Sequence, residues 1–166
     1  METGSLHNAL KPLSFLIGKW TSTNGKGSYP TIQPFEFGTD LEFSFIGQPM
    51  LNYKWISWHP TKRTPMHQES GFLRIKPGTC ELALLVAHNF GITTLEMGTV
   101  EGKSIALYCD KSQINRIPFA KEPHVTGLKR TITYDEETQQ LEMLISMATT
   151  NTPDLTHHLA MTFKKL

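Results

Sequence analysis

Residues 156–163 read Thr-His-His-Leu-Ala-Met-Thr-Phe, and this stretch decides the fold. Leu159, Met161 and Phe163 alternate with smaller or polar residues, which is the period of a half-buried β-strand. Because successive strand side chains point to opposite faces, only one of the adjacent His157 and His158 can face the interior. An inward imidazole on a strand is a candidate ligand for a metal ion or a haem iron. The pattern also fits the commoner arrangement, a hydrogen-bonded core histidine beside a surface one.

The same two-residue period continues through most of the chain. From residue 20 onward no segment of helical period interrupts it, so alternating βαβ units are not expected. The apolar cluster over residues 8–17, limited by Pro12, predicts a short α or 3₁₀ segment that plugs one end of a larger structure. Residues 80–87 are nearly all apolar, which predicts a strand covered on both faces. The predicted strands are 20–28, 35–46, 50–59, 67–76, 80–87, 92–100, 103–109, 123–134, 140–149 and 156–163.

Ten short strands at this spacing suggest a β-sandwich or an antiparallel barrel. The apolar plug and the nearby Trp20 favour the barrel, and a closed barrel of this size can enclose a ligand. We therefore predict an all-β protein, a ten-stranded antiparallel up-and-down barrel like the fatty-acid-binding proteins and lipocalins. It forms a single domain over residues 1–166, with a loose tail at residues 1–8.

Composition excludes several classes of partner. The formal net charge is +1 and the basic residues are scattered, so neither nucleic acid nor an acidic membrane surface is an expected partner. The two cysteines, Cys80 and Cys109, are too few for a disulfide framework and lack metal-site spacing. No signal-peptide pattern and no run of 18 apolar residues is present. These features predict a soluble protein of the cytoplasm.

Histidines are the remaining candidates for chemistry, because phosphate-binding loops, nucleophile elbows and zinc-binding spacings are all absent. His67 stands at a turn that enters a predicted strand, which places it at the mouth of a barrel. A solvated loop histidine is the alternative interpretation. The other candidates are His59, His88, His124, His157 and His158.

Several motifs in a fixed order resemble the nitrobindin family, and in particular its animal form, the C-terminal domain of a THAP-domain protein. They cover nearly the whole chain. The matching segments are FLIGKW (15–20), GKGSYPTI (25–32), PMHQESGFLR (65–74), KPGT (76–79), FAKEPHV (119–125), MATT (147–150), His158-Leu159 and Lys164-Lys165.

This resemblance implies a barrel that holds one ferric haem b per chain. His158 matches the histidine that binds the iron, Thr31 matches a residue that contacts the haem, and His67 matches a histidine on its other side. The implied activity is isomerisation of peroxynitrite to nitrate, with reversible binding of nitric oxide. The implied catalytic residues are His158 and His67, and the implied partners are these small molecules.

Several alternatives stay open at this point. Simple alternation groups His157, not His158, with the face of Leu159, so either a β-bulge shifts the register or the barrel exterior carries the apolar row. We take His158 as the ligand and His157 as the fallback. A haem-free carrier of a lipid or another small apolar ligand would use the same barrel. The oligomeric state is open, with a dimer as one option, and the nucleus is an alternative location.

Overall fold

The computed structural model describes residues 5–166, and most of them lie in β-strands. A 3₁₀ helix (Asn8–Leu16) comes first, and a 3₁₀ turn (Lys111–Gln113) lies between the seventh and eighth strands. The strands are β1 (Gly18–Tyr29), β2 (Ile32–Ser44), β3 (Met50–Trp58), β4 (Pro65–Ile75), β5 (Glu81–His88), β6 (Ile92–Glu101), β7 (Ser104–Asp110), β8 (Ile114–Arg116), β9 (Val125–Asp135), β10 (Gln140–Thr149) and β11 (Thr156–Lys165).

The strands form one closed antiparallel barrel. Each of β1 to β6 pairs with the next strand in sequence, and β7 pairs with β9. The ring continues through β9, β10 and β11, and β11 pairs with β1 to close it. The short β8 pairs only with the start of β6, where it continues the line of β7 after the 3₁₀ turn. The predicted ten-stranded up-and-down barrel is confirmed, with β8 as one additional strand.

The N-terminal plug is a 3₁₀ helix because its apolar residues recur every third position. Leu10, Leu13 and Leu16 are fully buried, and this spacing puts them on one face of a helix with three residues per turn. The indole Nε1 of Trp20 donates to the carbonyl of Leu16 at 2.8 Å, which ties the helix end to β1. This contact holds the plug across one end of the barrel.

The predicted loose tail lies partly outside the described residues. Within residues 5–8, Leu6 packs against the core and the His7 side chain accepts a hydrogen bond from the backbone N–H of Ala9. The chain is therefore already attached to the barrel at Leu6.

The prediction that residues 80–87 form a strand covered on both faces is wrong. In β5 burial alternates strictly, with Leu82, Leu84 and Val86 in the core. Leu85 faces outward and is 41 % exposed, because no second layer covers this side of the barrel among the described residues. Apolar residues on the outer face thus made a half-buried strand resemble a fully buried one. Within residues 5–166 no helix is long and apolar enough to cross a membrane.

Candidate functional site

A cavity of about 640 Å³ opens at the end of the barrel opposite the plug. It is lined by the β1–β2 turn, the β5–β6 turn, the segment between β8 and β9, and the adjoining ends of β4, β10 and β11. Its volume is within the range of sites for small organic ligands and cofactors. Its apolar and aromatic lining comes from Tyr29, Ile32, Phe35, Phe37, Trp55, Met66, Phe90, Pro123, Val125, Leu128, Ile145, Met147 and Leu159, and its polar lining includes Thr31, Ser57, His67, Glu69, His88, Arg130 and His158.

A β-bulge at the start of β11 turns His158 into this cavity. Ile145 of β10 pairs with Leu159, but the next residue, Ser146, pairs with His157, so His158 is the extra residue. A bulge places two residues of one strand opposite one residue of its partner and redirects the side chain. His158 and Leu159 therefore both line the cavity, while His157 is exposed outside. Of the two explanations that the sequence left open, the shifted register is the one the structure contains.

The surroundings of His158 set its tautomer and its charge. Its Nδ1 lies 3.1 Å from the carbonyl oxygen of Ser28, so Nδ1–H donates and Nε2 keeps its lone pair. Burial lowers the pKa of His158, although the Ser28 carbonyl opposes the shift, so the imidazole is neutral at pH 7. The rings of Tyr29 and Phe35 pack edge-on, with centroids 5.3 and 6.3 Å away. A neutral imidazole oriented by a backbone carbonyl is the usual form of a histidine metal ligand.

His67 lines a different wall of the cavity. Its ring contacts Trp55, Phe90 and His88, with centroids 5.0, 5.2 and 5.5 Å away. Its Nε2 lies 2.8 Å from the carboxylate of Glu69, which holds the ring in place. The predicted position at the barrel mouth is correct, and the side chain is half-buried rather than solvated.

The remaining candidate residues separate into two groups. Thr31 is exposed in the β1–β2 turn and lines the cavity rim, and His88 lines the cavity from the end of β5. His59 and His124 do not line it: the His59 ring accepts hydrogen bonds within its own turn, and His124 lies beside Glu122.

Sequence reasoning missed a buried ionic network on the wall behind His67. Arg130 is 1 % exposed and donates to Glu96 through Nε at 2.9 Å and through Nη2 at 3.0 Å. Its Nη1 lies 3.0 Å from Glu69 Oε2 and 2.8 Å from the hydroxyl of Tyr53. That hydroxyl donates to Glu69 Oε2 at 2.6 Å. Three charged groups from β4, β6 and β9 are thus buried together at the cavity wall.

The network changes the ionisation of its members. Burial alone would raise the pKa of the Glu69 carboxyl, but the charge of Arg130 holds it well below its usual range. Burial raises the pKa of Tyr53 well above its usual value, so the phenol stays neutral. Glu69 is therefore a fixed anion that orients the imidazole of His67.

These residues match a known family. The family model for the THAP4-like, haem-binding β-barrel domain matches residues 9–165. The chain belongs to this family. Peroxynitrite isomerase THAP4 of Homo sapiens is 42 % identical over 166 residues, which cover 99 % of this chain but 28 % of that protein. The chain thus spans little more than a quarter of that relative.

Two further relatives match the chain over nearly their whole length. Peroxynitrite isomerase 1 of Mycolicibacterium paratuberculosis is 39 % identical over 158 residues, 93 % of each chain. The crystal structure of Rv2717c from M. tuberculosis is 34 % identical, with a TM-score of 0.85, and the match covers 98 % of this chain and 99 % of that one. The barrel is therefore the shared unit of the family.

The residues of the cavity fit the haem that the family name implies. A flat aromatic cofactor needs mainly apolar walls and one axial donor. The cavity offers aromatic and aliphatic walls, and His158 offers a neutral imidazole whose Nε2 lone pair is free for a metal ion. His67 lines another wall and is already hydrogen-bonded to Glu69.

Proposed function

We propose that this chain is a ferric haem b protein, with one haem per chain, that isomerises peroxynitrite to nitrate and binds nitric oxide reversibly. The observation that carries the proposal is His158, which the bulge in β11 turns into an apolar cavity as a neutral, oriented imidazole. The family's haem-binding domain supports the cofactor. The names of the relatives, peroxynitrite isomerases, support the substrate.

In this proposal each cavity residue has a separate task. His158 holds the iron through Nε2, and the Ser28 carbonyl keeps the ring in the required orientation. Haem bound there supplies a Lewis-acidic iron that accepts anionic oxidants and nitric oxide. His67 lines a different wall of the cavity, where Glu69 fixes its ring and Trp55 limits its movement. His67 therefore controls how a small anion approaches and is oriented.

The haem-free carrier of an apolar ligand is less well supported. Carriers of fatty acids need a free cationic group inside the barrel to hold the carboxylate. Arg130 lines the cavity, but its guanidinium is already engaged by Glu69 and Glu96. A carrier also has no use for an inward imidazole with a free lone pair. Both observations favour the haem protein.

Titration of the purified chain with ferric haem tests the proposal. We expect a saturable Soret absorption band at one haem per chain. His158→Ala should abolish or strongly weaken haem retention, because the axial donor is lost, and circular dichroism should show an intact β-protein. His157→Ala is the matched control, since His157 lies outside the cavity, and it should load normally. Unchanged loading of the His158→Ala protein would remove the basis of the assignment.

Stopped-flow mixing of the loaded protein with peroxynitrite then tests the activity. We expect faster decay with nitrate as the main product, and a spectral change on addition of nitric oxide. Haem loading without faster decay would leave a haem protein with another role. The partners we propose are these small molecules. The cytoplasmic location, with the nucleus as its alternative, stays a prediction, and the oligomeric state stays open, with a dimer as one option.

A further inference from the structure

A second set of ligand atoms converges on the cavity wall formed by β4, β5 and β6. One ligand atom from each of His67, Glu69 and His88 lies within 4.8 Å of the other two. Glu69 Oε1 is 2.8 Å from His67 Nε2 and 3.3 Å from His88 Nδ1. We propose that these three residues bind one divalent transition-metal ion, at a site separate from the haem.

The hydrogen bonds of His88 leave a lone pair at this position. The hydroxyl of Thr94 donates to Glu96 at 3.1 Å, so its oxygen accepts from His88 Nε2–H at 3.0 Å. In the neutral ring the lone pair is then on Nδ1. Nδ1 is buried and has no hydrogen-bond partner within residues 5–166, and the side chain is only 2 % exposed. Two acceptor atoms, His88 Nδ1 and Glu69 Oε1, face each other, and a cation between them satisfies both.

Glu69 is arranged so that one oxygen is held and the other is available. Oε2 accepts from the hydroxyl of Tyr53 at 2.6 Å and lies 3.0 Å from Arg130 Nη1. Oε1 faces the two imidazoles, with Arg130 Nη2 more distant at 3.3 Å. Metal-ligating carboxylates and histidines are oriented by such outer partners. Here Tyr53 and Arg130 orient Glu69, while Thr94 and Glu96 orient His88.

The net charge of the buried cluster also favours binding of a cation. Glu69 and Glu96 are 4 % and 0 % exposed, and Arg130 is the cation paired with both. With both imidazoles neutral, two carboxylates and one guanidinium leave one negative charge uncompensated in the barrel wall, which is unfavourable in a buried setting. A divalent ion reverses this to one positive charge beside the cavity. A small anion entering from the cavity as a fourth ligand would then neutralise the site.

The donor set indicates which ions fit. Two imidazoles and one carboxylate suit Zn²⁺ and Fe²⁺, and three protein ligands leave a coordination position open. Around a tetrahedral ion with bonds of about 2.1 Å, ligand atoms lie roughly 3.4 Å apart. The 3.3 Å between Glu69 and His88 already fits this spacing. The 2.8 Å between His67 Nε2 and Glu69 Oε1 must widen slightly when the ion binds.

Calorimetric titration of the haem-free, chelator-treated full chain with Zn²⁺ tests this proposal. We expect one saturable ion per chain, and with Co²⁺ as a second probe we expect the visible absorption of a tetrahedral site. His88→Gln should weaken Zn²⁺ binding by at least about a hundredfold, and Thr94→Val, which removes only the outer partner, by about tenfold to a hundredfold. His157→Ala changes an exposed histidine elsewhere on the barrel and should bind as the parent does.

Three results would overturn the proposal: no saturable uptake, equal affinity in His88→Gln, or loss of binding in His157→Ala alone. Nitrogen-15 NMR spectra of the imidazoles show whether His88 Nδ1 binds a metal ion or a proton. A proton retained on His88 Nδ1 at saturating Zn²⁺ would mean that an imidazolium completes the cluster. If His88→Gln does not fold, the Zn²⁺ affinities of His67→Gln and Thr94→Val are compared with that of the parent, and equal affinities would overturn the proposal. Because the titrated protein is haem-free, the result of the Zn²⁺ titration is independent of the proposed haem function.

Discussion

His67 has a role that depends on what holds its ring. Glu69 accepts from Nε2, and Trp55 and Phe90 pack on the ring, so the imidazole is a fixed part of the cavity wall. We expect His67→Ala to keep haem, since His158 is the iron ligand that we propose, but to admit small anions more quickly. Azide binding to the loaded protein, followed by absorption, measures this. Complete loss of haem would identify His67 as an iron ligand instead.

The buried charge of Glu96 contributes to the free energy of unfolding. It is fully buried and binds Arg130 through both oxygens, at 2.9 and 3.0 Å. Glu96→Ala leaves part of a buried guanidinium without its partner, so we expect a loss of about 3–5 kcal/mol in the free energy of unfolding. Urea denaturation of the haem-free protein measures it.

Glu142→Ala is the matched control for this substitution, because Glu142 is exposed on β10. A surface change of this kind should stay within about 0.5 kcal/mol of the parent. Similar losses in the two variants would mean that the Glu96–Arg130 pair contributes nothing beyond a surface charge.

The buried network was missed because its strands place polar residues inside and apolar residues outside. On β6, Thr94 and Glu96 are buried, while Leu95 and Met97 are 39 % and 46 % exposed. Hydrophobicity alone therefore assigns the wrong face. Ile92 indicates which alternate residues of β6 face inward, because it is buried two positions before Thr94. The pairing with Arg130 was not readable, because it joins β6 to β9, which is not its neighbour in the ring.

At the scale of the element, the bulge in β11 decides which histidine serves the cavity. Deleting His157 should restore regular pairing, so that the residue before Leu159 points outward. This variant keeps His158 and its neighbour Leu159, yet we expect it to lose haem. His157→Ala retains the bulge and should load normally. Haem titration of both proteins, with circular dichroism as the check on folding, makes the comparison.

The opposite outcome has a clear meaning. Normal haem loading of the deletion variant would show that the strand can form the bulge from other residues. The inward orientation of His158 would then not depend on His157.

The elements themselves were largely predictable, and the irregularities were not. All ten predicted strands occur, because one buried face gives each a two-residue period, and turn residues mark their ends. The short β8 was not predicted, since its three residues are too few to show a period. The bulge could only be stated as one of two alternatives. It is a mismatch between two paired strands, and a single strand does not reveal it.

At the scale of the whole molecule, the plug that stabilises the barrel and the cavity that could bind a ligand lie at opposite ends. The plug, Trp20 and the last residues of β11 close one end, where Leu166 also donates to the carbonyl of Lys19. The cavity opens at the other end, where the β1–β2 turn carries Thr31 and the first residues of β4 and β11 carry His67 and His158. Ten paired strands connect the two ends and leave no free sheet edge in the ring. A change in the plug should therefore alter folding without altering the site.

Leu13→Ala tests this separation. Leu13 is fully buried between the helix and the barrel, and its truncation leaves a cavity that the rigid barrel cannot fill. We expect a loss of about 2–5 kcal/mol in the free energy of unfolding, measured with urea on the haem-free protein. The affinity for haem at 25 °C should stay that of the parent, because the strand ends that carry His158 and His67 are untouched. A drop in haem affinity in proportion to the lost stability would mean that the two ends are coupled. In that case the cavity would depend on the plug for its shape.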